Sequence, residues 1–195
     1  MAHIPARAAC HSSARFAPID LRRHLNEALD GFGLTRTMGA TNSTAPLHTL
    51  GGVEFEMCGY ILLKLGDLDP AFPPRASGIA VGQNCRVLHF LHSCDVRTNC
   101  VDGTLVGSYV VHYAEGGQEE IPIVYSQNVR YWEDTQNLLG RASEVWLGTN
   151  DNGDFVRLIK CSWQNPRPES EVQTVDFVAN RTDAHPILFA ITAAE

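Results

Sequence analysis

The chain has 195 residues, a formal net charge of −7, 44% hydrophobic residues and 19% charged residues. This hydrophobic content argues against disorder, and no apolar run approaches the roughly 20 residues of a membrane-spanning helix, so no membrane insertion is expected. Because phosphate backbones attract an excess of Lys and Arg, the acidic balance argues against nucleic acid as a partner.

Residues 1–15 are small and polar, and we predict that they form a disordered or irregular N-terminal segment. They lack the apolar stretch of about 7–15 residues found in a secretory signal peptide. The absence of a signal peptide suits a cytoplasmic protein, and it equally suits a domain excised from an exported one. Neither a linker nor an internal repeat divides residues 16–195, which are therefore expected to form a single domain.

Short apolar runs separated by turn residues dominate the chain. Asn152-Gly153 and Gly116-Gly117 each separate two such runs, which predicts two β-hairpins. Leu21, Leu25 and Leu29 recur at helical spacing, which predicts one short helix over Arg22–Asp30 that ends at Gly31. The predicted strands are Phe16–Leu21, Val53–Met57, Tyr60–Leu65, Gly78–Ala80, Val87–Ser93, Gly107–Tyr113, Glu119–Val124, Ser143–Leu147, Phe155–Cys161, Val172–Phe177 and Ile187–Thr192.

This pattern predicts an all-β fold, a jelly-roll β-sandwich of two antiparallel sheets. Both faces of the run Phe155–Trp163 are rather apolar, which suits a sheet that is partly covered on each side.

Histidines in the predicted strands are the first candidates for chemistry. His89 and His92 are three positions apart, so a regular strand directs them to opposite faces, and His112 lies in another strand. Polar or half-buried structural histidines fit this spacing better than a metal site. The sequence also lacks a GxSxG nucleophile motif and a CxxC zinc motif.

Cysteines give no firm indication of the cellular compartment. Cys94 and Cys100 flank a polar loop and are able to form a disulfide in an oxidising environment. The alternative is that Cys58, Cys85 and Cys161 are small core residues and the others are free thiols.

An aromatic pair, Tyr131-Trp132, lies in an otherwise polar stretch between strands. Sugars bind proteins by stacking an apolar ring face on an aromatic plane, while amides, carboxylates and Arg bind the hydroxyl groups. The alternative is that Trp132 only closes the end of the sandwich. The candidate ligand-binding residues are Asn128, Arg130, Tyr131, Trp132 and Glu133.

Sandwiches of this kind often hold a structural Ca²⁺ through carboxylate, amide and backbone oxygens. Asp20, Asn26 and Asp30 lie near the first predicted strand, and Asp176 lies near the last. We therefore name Asp20, Asn26 and Asp176 as candidate calcium ligands. The alternative is that these side chains only cap turns.

Several elements in order resemble a known family. They are Phe16-Ala17-Pro18-Ile19-Asp20-Leu21 with Asn26, Gly51-Gly52-Val53-Glu54-Phe55, Leu88–Ser93, Gly107–Gly116, Ile121-Pro122-Ile123, Trp163-Gln164-Asn165-Pro166-Arg167-Pro168, Val175-Asp176-Phe177 and Pro186–Thr192. In this order they resemble the galactose-binding-like, carbohydrate-binding-module-like β-sandwich domains of bacterial multidomain proteins. The resemblance implies a non-catalytic role, carbohydrate binding through loops at one end, and structural calcium. Glu54 departs from the pattern, because a proline is familiar there.

The sequence thus favours a non-catalytic carbohydrate-binding module. Two alternatives stay open: a small metal-dependent or hydrolytic enzyme that uses the strand histidines, and a protein-interaction module. Whether the chain forms oligomers is not indicated.

Overall fold

A computed structural model describes residues 15–34, 47–64, 71–96, 100–140, 142–180 and 182–195. Most of the predicted N-terminal segment therefore lies outside the described residues. The described residues form one 3-10 helix, Leu29–Phe32, and the strands β1 Phe16–Pro18, β2 Leu47–Leu50, β3 Val53–Glu56, β4 Ile61–Leu62, β5 Arg75–Gln83, β6 Val87–Val96, β7 Leu105–Tyr113, β8 Gln118–Val124, β9 Ser143–Thr149, β10 Phe155–Gln164, β11 Val172–Ala179 and β12 Ala184–Ala194.

The strands pair into antiparallel sheets. The larger has the order β1-β12-β6-β10-β9, with β4 also paired to β12, and the smaller has the order β5-β11-β7-β8. β2 and β3 form a separate hairpin. This architecture is consistent with the predicted β-sandwich. Pro122, which has no N–H to donate, lies in β8 at an edge of the smaller sheet, as expected for a strand proline.

Side chains from both sheets meet in one hydrophobic core. Phe90 of β6 stacks on Tyr109 of β7, with ring centroids 3.9 Å apart. Tyr109 in turn stacks on Phe177 of β11 at 5.2 Å. All three side chains are fully buried. The aromatic stack therefore connects the two sheets through their centre.

The opposite face of the larger sheet is also covered. Leu91, Leu158 and Phe189 pack there against the 3-10 helix and the β2–β3 hairpin. Every residue of β12 is buried, because this central strand has a packed layer on each face. The two-sided apolar pattern of β10 is thus explained by a sheet that is covered on both sides.

The predicted helix over Arg22–Asp30 is wrong in extent and type. Residues 22–24 form a turn, and Glu27 then pairs with Tyr60 as an isolated β-bridge. The Asn26 side chain donates to the Leu62 carbonyl and accepts from the Leu62 N–H, both at 2.8 Å. The backbone is extended here because hydrogen bonds to the edge of β4 replace those of a helix.

The short helix that does form covers Leu29–Phe32 and ends at Gly33 rather than Gly31. Gly33 has φ +66°, a left-handed conformation that glycine adopts without strain. Its carbonyl accepts from Asp151 N at 2.6 Å, and Asn150 Nδ2 donates to the Phe32 carbonyl at 3.3 Å. The β9–β10 turn therefore holds the helix against the larger sheet.

Both predicted hairpins are confirmed. β7 pairs with β8 across the Gly116-Gly117 turn, and β9 pairs with β10 across Asn152-Gly153. The strand β2 was not predicted, and β5 is longer than the predicted Gly78–Ala80.

Five cysteines lie among the described residues, and all five are free thiols. Cys85 is buried, as expected for a core residue, but Cys58 is exposed, so its assignment to the core is wrong.

The Trp163–Pro168 string contains a buried asparagine that organises the turn after β10. Asn165 Nδ2 donates to the carbonyls of Cys85 and Arg167, at 2.9 and 3.1 Å. Its Oδ1 accepts from the Tyr113 hydroxyl at 2.7 Å and from Arg167 N at 2.9 Å. Asn165 thus links this turn to both sheets, and its part of the motif is structural.

We expect Asn165→Ala to lower the free energy of unfolding by about 2–4 kcal/mol, because it leaves several buried polar groups without partners. Urea unfolding monitored by circular dichroism measures the change. Asn152→Ala, at an exposed turn, is the matched control and should alter the value by less than about 0.5 kcal/mol. Equal losses in the two variants would contradict this role for Asn165.

Candidate functional site

The predicted binding loop fills a gap in the larger sheet. β6 and β10 are paired from Val87, opposite Gln164, to His92, opposite Ile159. Beyond His92 the two strands separate, and residues 130–132 lie between them. Cys94 N donates to the Arg130 carbonyl at 3.3 Å, and Trp132 N donates to the Cys94 carbonyl at 3.0 Å. On the other side, Arg157 N donates to the Trp132 carbonyl at 2.9 Å. The loop therefore satisfies backbone groups that two diverging strands leave unpaired.

Arg130 is the electrostatic centre of this loop. Its side chain is buried, and its guanidinium forms ion pairs with Asp134 and, at 3.4 Å, with Asp102. Nη1 also donates to Gln136 Oε1 at 3.1 Å, and the guanidinium lies 5.5 Å from the centroid of the Tyr125 ring. Nε is buried and has no hydrogen-bond partner among the residues that the structure describes.

A second buried arginine extends the network. Arg157 Nε donates to Glu144 Oε2 at 2.8 Å, and its Nη1 donates to the Gln136 carbonyl at 2.7 Å. Burial by itself raises the pKa of Asp134, but hydrogen bonds from Gln136 N and Arg130, with the charges of Arg130 and Arg157, lower it overall. Asp134 is therefore ionised at neutral pH.

Asn128 anchors the start of the loop. Its Oδ1 accepts from Val124 N at 2.7 Å, and its Nδ2 donates to the Pro122 carbonyl at 2.8 Å. Its own carbonyl accepts from His92 Nε2 at 2.7 Å. Because a carbonyl oxygen only accepts, His92 carries its proton on Nε2, and Nδ1 accepts from the Tyr109 hydroxyl at 2.9 Å. The side chains of Asn128 and Arg130 thus hold the loop in place.

Tyr131, Trp132 and Glu133 present the outer surface of the loop. Trp132 is partly exposed, and its ring centroid lies 4.9 Å from that of Phe32 and 5.7 Å from that of Tyr131. Glu133 is exposed. Burial, a side-chain hydrogen bond to Glu133 and the charges of Glu133 and Asp95 raise the pKa of Tyr131, so its hydroxyl is neutral at physiological pH.

Sequence reasoning missed the partners of the two arginines. Asp102 and Glu144 lie outside the loop, so their spacing gave no signal, and Gln136 lies six positions after Arg130 but was not among the predicted residues. Ser126 was also missed: it is buried, adopts φ +69°, and donates through Oγ to Asp102. A left-handed non-glycine residue is uncommon, and Asn128 Oδ1 and Asp102 hold the turn around it.

The strand histidines are not brought together. His92 contacts Tyr109 between the sheets, whereas His89 Nδ1 lies 2.8 Å from Ser162 Oγ on the opposite face. The prediction that these two point to opposite faces is thus confirmed. His112 Nε2 lies 3.3 Å from Asp176 Oδ2 on the smaller sheet. The described part of the chain contains no group of three or more His, Cys, Asp or Glu residues arranged to hold a metal.

The candidate calcium ligands each have protein partners. Asp20 is exposed and forms an ion pair with Arg22 at 3.4 Å, while the Asn26 amide binds the Leu62 backbone. Asp176 lies in the smaller sheet, accepts from Gly78 N at 2.7 Å and pairs with Arg75. These contacts give each side chain a structural role, and calcium binding stays a prediction.

Comparison with protein-family models gives no match, and comparison with curated protein sequences gives none at a significant level. The resemblance to galactose-binding-like domains therefore stays a prediction. Within the described ranges, no helical segment has the length and apolar character needed to cross a bilayer.

We expect His92 to make folding sensitive to acid. Burial lowers its pKa to about 4 in the folded chain, against about 6.5 when unfolded. Above pH 6.5 the neutral His92 imidazole makes its full contribution to the free energy of unfolding. As the pH falls from 6.5 towards 4, the unfolded chain binds a proton that the folded chain does not, and the free energy of unfolding decreases by about 2–3 kcal/mol. Urea unfolding at pH 7.5 and 4.5 should show that His92→Gln loses less stability on acidification than the parent chain.

His24→Gln removes the imidazole of a partly exposed histidine and is the control. Its loss of stability between pH 7.5 and pH 4.5 should equal that of the parent chain. Burial and the charge of Lys160 also lower the pKa of His89 to about 4. The variant His89→Gln therefore measures the contribution of His89 to the acid sensitivity of folding. If His92→Gln and the parent lost equal stability, the acid sensitivity would have another origin.

Proposed function

We propose that this chain is a non-catalytic carbohydrate-binding module that takes a glycan at the loop of residues 125–136. The proposal includes a jelly-roll fold of the galactose-binding-like type and membership of that family of bacterial domains. It rests on one observation above all: Trp132 packs against Phe32 of the core and is partly exposed, and the next residue, Glu133, is exposed.

An anchored, partly exposed indole suits sugar recognition. Contact with Phe32 immobilises the ring, so little side-chain entropy is lost on binding. The outer part of such a ring offers an apolar surface to the C–H face of a pyranose. The neighbouring Tyr131 ring contacts Trp132 edge-on, and its hydroxyl is neutral.

Exposed polar side chains of the loop, and the ion-pair partner Asp102 of Arg130, are available to form hydrogen bonds with sugar hydroxyls. Glu133 and Gln136 are exposed, and the Asp102 side chain is 55% exposed. Carboxylate oxygens accept from sugar hydroxyls, and the Gln136 amide both donates and accepts. Arg130 and Asn128 contribute indirectly, because their ion pairs and hydrogen bonds hold the loop in place.

We expect Trp132→Ala to abolish or weaken glycan binding by a factor equivalent to about 1–3 kcal/mol. Affinity electrophoresis in gels that contain a panel of neutral polysaccharides, followed by a glycan array, measures retention. Trp132→Phe keeps a ring on Phe32 and should bind at an intermediate level. Glu133→Gln, an exposed change that keeps the fold, should weaken binding by removing a carboxylate acceptor.

Trp163→Ala is the matched control, because Trp163 is also partly buried but lies at the opposite end of β10. Circular dichroism of each variant confirms that it is folded. Absence of retention on any glycan, or retention that Trp132→Ala and Trp132→Phe leave unchanged, would refute the proposal.

A further inference from the structure

Four aromatic rings form a continuous row that ends at the candidate binding loop. The Tyr60 ring contacts the Phe32 ring with their centroids 5.5 Å apart, and Phe32 contacts Trp132 at 4.9 Å. Trp132 in turn contacts Tyr131 at 5.7 Å. Tyr60 and Phe32 are buried, whereas Trp132 and Tyr131 are partly exposed. The loop therefore forms the accessible end of the row.

Two carboxylates lie at the Tyr60 end of the row. Glu27 and Tyr60 are paired through their backbones as a β-bridge. Glu27 Oε2 and the Tyr60 hydroxyl lie 3.7 and 3.2 Å from the position that a Cβ would take on Gly31. Asp30, which precedes Gly31, is exposed. Burial, followed by the charges of Glu27, Asp30 and Asp95, raises the pKa of Tyr60 to about 12.

Asp95 faces the same row from β6. Side chains alternate along a strand, so Asp95 lies on the same face of β6 as Leu91, which packs in the hydrophobic cluster that Trp132 contacts. After burial, the charge of Asp95 contributes to the raised pKa of both Tyr60 and Tyr131. Asp95 therefore acts on the hydroxyl groups at both ends of the row.

The two arginines that bind the loop do not offset these carboxylates. Arg130 pairs with Asp134 and Asp102, and Arg157 pairs with Glu144. Both guanidinium groups are buried. The three partners already outnumber the two arginines, so the network leaves no positive charge in excess.

Four further carboxylates surround the row without a basic partner. Within the described parts of the chain, no ion pair with Lys, Arg or His is formed by Glu27, Asp30, Asp95 or Glu133. His92, which binds the loop backbone, is buried and neutral at physiological pH. His185, opposite Asp95 in β12, is also buried, and its Nδ1 donates to the Leu63 carbonyl at 2.8 Å. The surroundings of the aromatic row are therefore negative.

We propose that the glycan bound at the Trp132 loop is a cationic amino sugar, of the kind found in a β-1,4-linked glucosamine chain. This inference rests on the proposed function and adds the sign of the ligand's charge. The indole takes the C–H face of one pyranose, and ammonium groups lie towards Asp95 and Glu133. An ammonium group is stabilised beside a carboxylate and also over an aromatic face. The same carboxylates repel uronic and sulfated sugars.

Isothermal titration calorimetry of the full chain at pH 6.0 and low salt compares two hexamers, one of glucosamine and one of N-acetylglucosamine. The acetylated hexamer has the same linkage but lacks the positive charges. The glucosamine hexamer should bind about tenfold more tightly. Because salt screens exposed charges, this preference should fall to about threefold or less in 0.5 M NaCl. Trp132→Ala should weaken binding of the glucosamine hexamer about tenfold, because the sugar ring also needs the indole.

Asp30→Asn combined with Asp95→Asn removes two of the four carboxylates and should reduce the preference to about threefold or less. The matched control combines Glu115→Gln with Glu171→Gln, two exposed residues near the β7–β8 turn. This control makes the same change in net charge and should keep the full preference. Circular dichroism checks that each variant is folded.

Equal affinity for the two hexamers would overturn this inference and leave the proposed glycan site standing. A preference that survives in the Asp30→Asn and Asp95→Asn variant, or that both double variants lose equally, would also overturn it. Binding of the glucosamine hexamer that Trp132→Ala leaves unchanged would show that the cation binds elsewhere. If no glycan binds, whether charged or neutral, both this inference and the proposed function are wrong.

Discussion

Burial of the larger sheet on both faces is the constraint on which the structure depends. One face packs on the smaller sheet through the stack of Phe90, Tyr109 and Phe177, and the other packs on the 3-10 helix and the β2–β3 hairpin. Since β12 has no exposed residue along its length, it offers no surface for a ligand. Exposed polar side chains therefore lie on other strands and on loops, among them the loop of residues 125–136.

The loop of residues 125–136 satisfies two requirements at once. Its backbone forms hydrogen bonds with the backbone of β6 and β10 where these strands diverge beyond His92. These hydrogen bonds require a defined loop geometry. Arg130, which is buried, and Asn128, which is partly exposed, provide that geometry, and Trp132 and Glu133 follow on the outside. A loop that is held this firmly presents side chains in a fixed arrangement, so binding would cost little ordering entropy.

The sequence predicted most strands and both hairpins, because the alternation of side chains and the glycine turns are local signals. The helix over Arg22–Asp30 was wrong because hydrogen bonds from Asn26 and Glu27 to a distant strand outweigh local leucine spacing. The hairpin strand β2 was missed because its apolar pattern is short. At the candidate site, Trp132 was predicted from its polar surroundings in the sequence, whereas Asp102, the Arg130 partner that lies outside the loop, had no local signal.

The sequence by itself determined the all-β class, the turn positions and the opposite orientation of His89 and His92, because all of these follow from chemistry and periodicity within a few residues. Only the tertiary structure decided which polar side chains hold the loop and which face outward. It also brought Glu27, Asp30 and Asp95 together around Tyr60 from distant parts of the chain. Such groupings depend on strand order and register, which no local pattern in a single chain specifies.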